Sequence, residues 1–131
     1  SGGCSGLSYK LDFDNELKSV DRQYNRPKGA LLLAFAENIA VGCAGIRKID
    51  EEIAELKRMY IRDEYRGYGI GVKLLEQSLQ TAKELGYKKI RLDTLKTINK
   101  AQSLYSSFGF YEIPPYRFNP LEGTVYMEKE L

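Results

Sequence analysis

Apolar runs separated by short polar connections dominate the first half of this chain. Ala30 to Ala36 is continuously apolar, Ile39 to Ile49 is rich in Val, Ile, Cys and Gly, and Ile53 to Ile61 forms a third run. The connections are Glu37-Asn38 and Asp50 to Glu52. Runs of this length joined by tight polar turns predict an antiparallel meander of three strands.

The third run contains an irregularity. Leu56, Met59 and Ile61 have the character of core residues, but Leu56 and Met59 are three positions apart and break the period of two expected for a strand. One extra residue near Lys57 to Met59, a β-bulge, would return these side chains to one face. Bulges often lie beside active sites because they redirect backbone groups.

Helical periodicity marks the second half of the chain. Val72, Leu75, Leu79 and Ala82 share one helix face, and Gly86 follows as the stop. Asn99 to Phe108 is predicted as a second helix, ended by Gly109. Strands are predicted at Lys89 to Asp93, near Phe110 to Ile113 and from about Thr124 to Glu130. Strands first, then β-α-β-α-β-β, predict an α/β (α+β type) fold with a mixed, mainly antiparallel sheet flanked by helices.

The beginning of the chain carries weaker signals. Residues 1–11 open with Ser-Gly-Gly-Cys-Ser-Gly, and we expect them to be flexible. Leu17, Val20 and Tyr24 then recur at helical spacing, with Asp14 as the N-cap, so Asp14 to Tyr24 is predicted as a short amphipathic helix. With 131 residues and no linker-like segment, residues 1–131 are expected to form a single domain.

Composition narrows the chemistry. The chain contains no histidine, which excludes Ser-His-Asp and Cys-His nucleophile pairs and His-ligated zinc, so a general base must be a carboxylate, Tyr, Lys or a held water. Cys4 and Cys43 cannot form a CxxC pair, and no metal is expected. A net charge of +2 gives no footprint for nucleic acid or an anionic membrane. The sequence has no signal-like or membrane-length apolar segment, and a cytoplasmic location is the expectation.

A glycine-rich loop lies where the third strand ends and a helix begins, at Arg66-Gly67-Tyr68-Gly69-Ile70-Gly71. Glycines allow close backbone approach to a ligand, and the unpaired N–H groups of a helix start favour phosphate. The spacing fits neither the Walker A pattern nor GxGxxG. A glycine-rich connection without a ligand is the alternative reading.

The same loop resembles the [QR]xxGx[GA] signature of the GNAT superfamily of N-acetyltransferases, with Arg66, Gly69 and Gly71 at the signature positions. Ala101 to Phe110 resembles the second family motif, A-x-x-L-Y-x-x-x-G-F. The resemblance covers roughly residues 12–131. Members usually begin with a further strand and helix, and we expect these to be missing here, because either the chain is truncated or this member lacks them. Many members carry an Asn where this chain has Ile98.

The resemblance implies acetyl-CoA as co-substrate. Backbone amides from Arg66 through Val72 would hold the pyrophosphate, and the strand end would pair with the pantetheine arm, with its bulge aiming an N–H at the thioester carbonyl. The implied cofactor-binding residues are Met59, Tyr60, Ile61, Arg66, Gly67, Tyr68, Gly69, Ile70, Gly71, Val72 and Asn99.

Transfer of an acetyl group to an amine needs a base for the amine and an acid for the leaving thiolate. By family position, Glu55 is the candidate base, directly or through water, and Tyr105 the candidate acid. The alternatives are a solvent-facing strand glutamate paired with Lys57 or Arg47, and a core aromatic residue. Cys43 is expected to be a small core residue rather than an acyl carrier.

The acceptor side is less defined. Asp93 and Thr94 end a strand beside the expected cleft, and Tyr116 and Arg117 lie in a proline-rich loop that lines the acceptor site in many relatives. We therefore expect an N-acetyltransferase acting on a primary amine of a small molecule, amino acid or peptide by direct attack in a ternary complex. The alternative is a catalytically silent acyl-CoA-binding sensor or interaction module. Because edge strands of the family often pair, a homodimer is also expected.

Overall fold

The computed structural model of the chain describes residues 7–12, 28–97 and 99–131. In chain order the elements are β1 (Leu7–Asp12), β2 (Ala30–Ala36), β3 (Ile39–Lys48), β4 (Ile53–Ile61), α1 (Ile70–Glu84), β5 (Lys89–Leu95), α2 (Asn99–Ser107), β6 (Tyr111–Ile113) and β7 (Thr124–Glu130). A 3₁₀ turn, Asp63–Tyr65, joins β4 to the loop before α1. The described helices include none with both the length and the apolar character needed to cross a membrane.

The described strands form one sheet in the order β1-β2-β3-β4-β5-β7-β6. All neighbours are antiparallel except β4 and β5, which run parallel. A parallel pair needs a crossover connection, and α1 supplies it. The predicted fold class, a mainly antiparallel mixed sheet with helices, is confirmed.

The apolar pattern of the strands builds one core beneath α1. The inward face of α1 contributes Ile70, Leu74, Leu75 and Ala82 to this core. The helix packs against β2, β3 and β4. The sheet contributes the buried side chains Leu32, Ala44, Ile46, Ala54, Ile90, Leu92, Val125 and Met127. The core thus fixes α1, and with it the loop before α1, against the middle of the sheet.

The predicted bulge in β4 is present. Cys43 of β3 is opposite Tyr60, whereas Gly45 is opposite Lys57, so two steps on β3 match three steps on β4. The extra residue lies between Lys57 and Tyr60, as the pattern of Leu56 and Met59 indicated. It changes the direction of β4 directly before the strand ends.

The beginning of the chain differs from the expectation. Leu7–Asp12 is a strand that pairs antiparallel with β2 along its whole length, where the sequence pattern predicted no strand. Backbone hydrogen bonds to an otherwise open strand edge can order a short segment that composition leaves undecided. Leu7, Tyr9 and Leu11 alternate with polar residues, a period-two signal that could have identified it. The helix predicted at Asp14 to Tyr24 lies outside the described residues.

Candidate active site

The connection between β4 and α1 holds the glycines of the predicted phosphate loop. Gly67 and Gly69 have φ angles of 87° and 80°, in the left-handed region that glycine adopts without steric cost. Gly69 is the N-cap of α1, and it has no side chain to engage the first N–H groups of the helix. The first turn consists of three uncharged residues and Lys73. Free N–H groups and the helix dipole therefore favour an anion here.

Arg66 is oriented by its neighbours at the start of this loop. Its Nε donates to the carbonyl oxygen of Ile61 at 3.0 Å, and its guanidinium lies 2.9 Å from Asp63 and 5.5 Å from the ring centre of Tyr60. The side chain is more than half exposed. A positioned, accessible guanidinium beside free amides suits a phosphate group.

A cleft opens where two central strands separate. β4 and β5 pair only from Ile53 to Glu55 against Lys89 to Arg91. Beyond these positions a cavity of about 780 Å³ lies between the two strands. It reaches from the glycine loop to the middle of the sheet. Its lining residues include Leu56, Lys57, Met59, Tyr60, Ile61, Arg66, Gly67, Gly69, Ile70, Gly71, Asp93, Thr94, Lys100, Tyr105 and Asn119.

Most of the predicted cofactor-binding residues line this cavity. They are Met59, Tyr60, Ile61, Arg66, Gly67, Gly69, Ile70 and Gly71. Tyr68 and Val72 are exposed beside it, and Asn99 begins α2. A methyl group built at Gly71 would meet no described atom within 4 Å, so the loop leaves open space where a ligand would approach.

Tyr105 lies on α2 at the wall of the cavity. Its side chain is 8% exposed, and it packs edge-on against Phe110 with ring centres 5.6 Å apart. Burial raises the pKa of its hydroxyl above the ordinary 10.0, so the hydroxyl keeps its proton at neutral pH. Tyr105 is therefore both a core aromatic residue and an available proton donor.

A carboxylate faces the cavity from β5. Asp93 accepts a hydrogen bond from Lys57 Nζ at 2.9 Å and one from Asn119 Nδ2 at 3.4 Å. Among the described residues that line the cavity, Asp93 is the one with an acidic side chain. Lys57 and Asp93 thus bridge β4 and β5 just past the point where their backbone pairing stops.

The sheet face that carries Asp93 also holds a row of charges. Strand register aligns Arg47, Glu55, Arg91, Glu128 and Tyr111 across five strands. Three neighbouring pairs in the row are hydrogen-bonded: Arg47 to Glu55 at 2.6 Å, Arg91 to Glu128 at 2.8 Å, and Tyr111 to Glu128 at 2.5 Å. Alternating cations and anions along the row let each charge find a partner inside the fold.

Glu55 lies at the centre of this face and is fully buried. One oxygen accepts from Arg47, and the other accepts from Tyr116 and from Arg117, with Lys57 Nζ 3.9 Å away. It is not among the residues that line the cavity. The alternative reading is thus wrong about solvent exposure and right about the pairing with Arg47, and the carboxylate is held among cations rather than open to an incoming amine. Its role as the general base stays a prediction.

The predicted acceptor residues divide into two groups. Asp93 and Thr94 line the cavity. Tyr116 and Arg117 lie in the β6–β7 connection and bind Glu55 instead, with the Tyr116 ring 5.2 Å from the Arg91 guanidinium carbon and 5.2 Å from the Tyr126 ring. Burial, followed by the charge of Asp93, raises the pKa of Tyr116. Both side chains thus contact Glu55 rather than the cavity wall, and their role in acceptor binding stays a prediction.

Lys57 is the cavity residue that sequence reasoning missed as part of the site. It was considered only as a surface partner of Glu55. The bulge beside it was the available signal, since a bulge changes which way the following side chains point. Its contact with Asp93, 36 positions along the chain, depends on strand order and could not be read from local pattern.

Comparisons with known proteins agree with this geometry. The family described as the acetyltransferase (GNAT) family matches residues 7–110. An uncharacterised N-acetyltransferase of Schizosaccharomyces pombe is 40% identical over 120 residues, which cover 90% of this chain and 74% of that protein. Several other curated relatives are longer, and the chain spans 34%, 62% and 44% of three of them.

Solved structures share the fold. An acetyltransferase from Streptococcus agalactiae has a TM-score of 0.80 at 21% identity and covers 96% of this chain and 99% of its own. An N-acetyltransferase from Thermoplasma acidophilum, solved in complex with coenzyme A, has a TM-score of 0.68 at 27% identity and covers 79% of this chain and 62% of its own. With the family match across most of the chain, these findings show that the chain belongs to the GNAT family of acetyltransferases, which are acyltransferases.

Proposed function

We propose that this protein transfers an acetyl group from acetyl-CoA to a primary amine of a small molecule, amino acid or peptide, by direct attack in a ternary complex. One observation carries the proposal. A single cavity joins the glycine loop at the start of α1 to the carboxylate of Asp93 on β5 and the phenol of Tyr105 on α2. Both reactants of an acyl transfer to an amine can therefore meet in it.

The donor end fits a coenzyme A thioester, which supplies the activated acetyl group. The amides of the first turn of α1 and the guanidinium of Arg66 would bind the pyrophosphate. Met59 to Ile61 would face the pantetheine arm, since they line the cavity on the β4 side and have no backbone partner on β5. The complex of the Thermoplasma relative with coenzyme A supports this assignment.

The acceptor end fits an amine. A primary amine arrives as an ammonium ion and must lose a proton before it can attack a thioester. Asp93 is the carboxylate on the cavity wall, and Asn119 helps to orient it. We assign to Asp93 the binding of the ammonium group and, directly or through water, the acceptance of its proton. Tyr105, protonated at neutral pH, would donate a proton to the departing thiolate.

An acetyl-CoA thiol-release screen over amines, amino acids and short peptides tests the proposal. At least one amine should give thiol release above the hydrolysis background. Asp93→Asn should then lower kcat/KM for that amine about 100-fold, within the usual range for loss of a proton-transfer group. Glu128→Gln is the matched control, since Glu128 is a carboxylate of the neighbouring strand that does not line the cavity.

A different result would identify a binding module. Saturable binding of acetyl-CoA without thiol release for any amine would contradict catalysis and support the silent acyl-CoA-binding alternative. Equal losses in Asp93→Asn and Glu128→Gln would contradict the assignment of Asp93.

A further inference from the structure

Lys57 places a primary amine inside the cleft itself. Its side chain lines the cavity, and the β4 bulge directly follows it along the chain. Its Nζ lies 2.9 Å from Asp93 and 3.9 Å from Glu55. The position given above to the ammonium group of an acceptor, against Asp93, is therefore already taken by an ammonium group of the protein.

Lys57 also lies next to the acyl end of the cleft. From the glycine loop the cavity follows β4 backwards from Ile61 through Tyr60 and Met59 to the bulge. If the pantetheine arm follows this wall, as the proposed function requires, the next side chain beyond the thioester is Lys57. Lys100, the other lysine among the described residues of the cavity, is exposed on α2.

We propose, on the basis of the proposed function, that Lys57 is a self-acetylation site. When no acceptor is bound, Lys57 Nζ loses a proton to Asp93 and attacks the carbonyl carbon of the acetyl thioester. A C–N bond forms, the C–S bond breaks, and its electron pair leaves with sulfur. The second nitrogen proton goes to the thiolate, so acetyl-CoA and one lysine ammonium give acetyl-lysine, coenzyme A thiol and one proton.

The modification would change the acceptor end. An acetylated Lys57 carries no charge, so it loses the ion pair with Asp93, which keeps its hydrogen bond from Asn119. A free acceptor competes with Lys57 for the same carboxylate and the same acetyl group. Good acceptors therefore protect Lys57.

Intact-mass and peptide mass spectrometry of the full chain incubated with acetyl-CoA alone test this. We expect one added acetyl group per chain, with occupancy at Lys57 at least tenfold above that at Lys88, an exposed lysine that reports spontaneous acetylation. Lys57→Arg should remove the added mass while keeping a cation beside Asp93, and Lys100→Arg should keep it. An amine identified as an acceptor should lower the occupancy at Lys57 at least threefold.

The inference is overturned if Lys57 gains no more label than Lys88, or if a folded Lys57→Arg chain, checked by circular dichroism, still gains the single acetyl group. Thiol release measured on the same samples with the amine panel separates the two proposals. Release with amines but no label on Lys57 refutes only self-acetylation. Absence of both from a folded chain that binds acetyl-CoA refutes the proposed function as well.

Discussion

The two ends of the cleft are built in different ways. At the donor end, ligand contacts come from backbone: left-handed glycines at 67 and 69, free amides at the start of α1, and space around Gly71. At the acceptor end they come from side chains, with Lys57 and Asp93 bonded across two strands. The first site is set by neighbours in sequence, whereas the second depends on strands that are far apart in the chain.

This difference indicates how substitutions at each end of the cleft should affect the protein. At Gly71 the donor end can accept a single Cβ without disturbing the fold, because no described atom lies close to this position. The acceptor end rests on the buried charges behind it, with Glu55 joining β3, β4 and the β6–β7 connection through Arg47 and Arg117. Substitutions there should affect stability and chemistry together.

The largest effect is expected at Glu55. Glu55→Gln leaves Arg47 and Arg117 beside a neutral partner in a buried setting, and loss of one member of such a group typically costs about 3 kcal/mol of unfolding free energy. Urea unfolding measures this cost. Glu51→Gln is the control, since Glu51 is exposed and its surface ion pairs with Lys28 and Lys48 should contribute little to stability.

The same variant separates structure from catalysis at this residue. If Glu55 acts as the general base, Glu55→Gln should lose kcat even at temperatures at which the variant is fully folded. A large loss of stability with a kcat that recovers at low temperature would make Glu55 the anchor of the acceptor end. Unchanged stability would contradict that role, and with it the view that buried charges support the acceptor end.

Tyr105→Phe is expected to have the next largest effect. Removal of the hydroxyl should lower kcat about 100-fold while leaving binding of coenzyme A nearly intact, because a proton donor to the thiolate is lost but the ring remains in the core. Initial-rate assays measure kcat, and calorimetric titration measures the binding of coenzyme A. Tyr111→Phe is the matched control, because that hydroxyl binds Glu128 away from the cavity. An unchanged kcat would exclude Tyr105 from the mechanism.

The pKa of Tyr105 adds a direction to this test. The group acts as an acid in its protonated form, and burial raises its pKa above 10.0, so activity that depends on it should persist throughout the neutral range and decline only above about pH 10. The decline should be missing from the residual activity of Tyr105→Phe. A fall with a midpoint near pH 7 would have to come from another group.

Sequence reasoning reached the fold because its signals are local. Apolar runs between polar turns predicted β2 and β4 with their observed bounds, and the broken period at Leu56 and Met59 located the bulge. β1 was missed because six alternating residues at the start of a chain are a weak signal. Its order depends on the edge of β2, which lies about twenty residues later.

The site divides along the same line. The glycine loop could be predicted because a helix start needs only its own residues. The charged row from Arg47 to Tyr111 could not, because it requires the register of five strands at once. For the same reason the contacts of Tyr116 and Arg117 with buried Glu55 could not be predicted. Ion pairs between strands of a sheet can be predicted only after the strand order is known.

Gly71→Ala gives the smallest effect and the sharpest view of the donor end. The position is helical and open, so alanine should stabilise the unliganded chain by about 0.5–1 kcal/mol. The same methyl group would stand where the backbone must approach a phosphate, and KM for acetyl-CoA should rise about tenfold, or 1.4 kcal/mol. Thermal unfolding measures the gain in stability, and initial rates measure the rise in KM for acetyl-CoA.

Gln77→Ala, at an exposed position of α1, is the control and should leave KM unchanged. A stabilised Gly71→Ala chain with unchanged KM would mean that the ligand does not approach this turn, whereas opposed changes would show that glycine is kept here for the ligand at a cost to the helix.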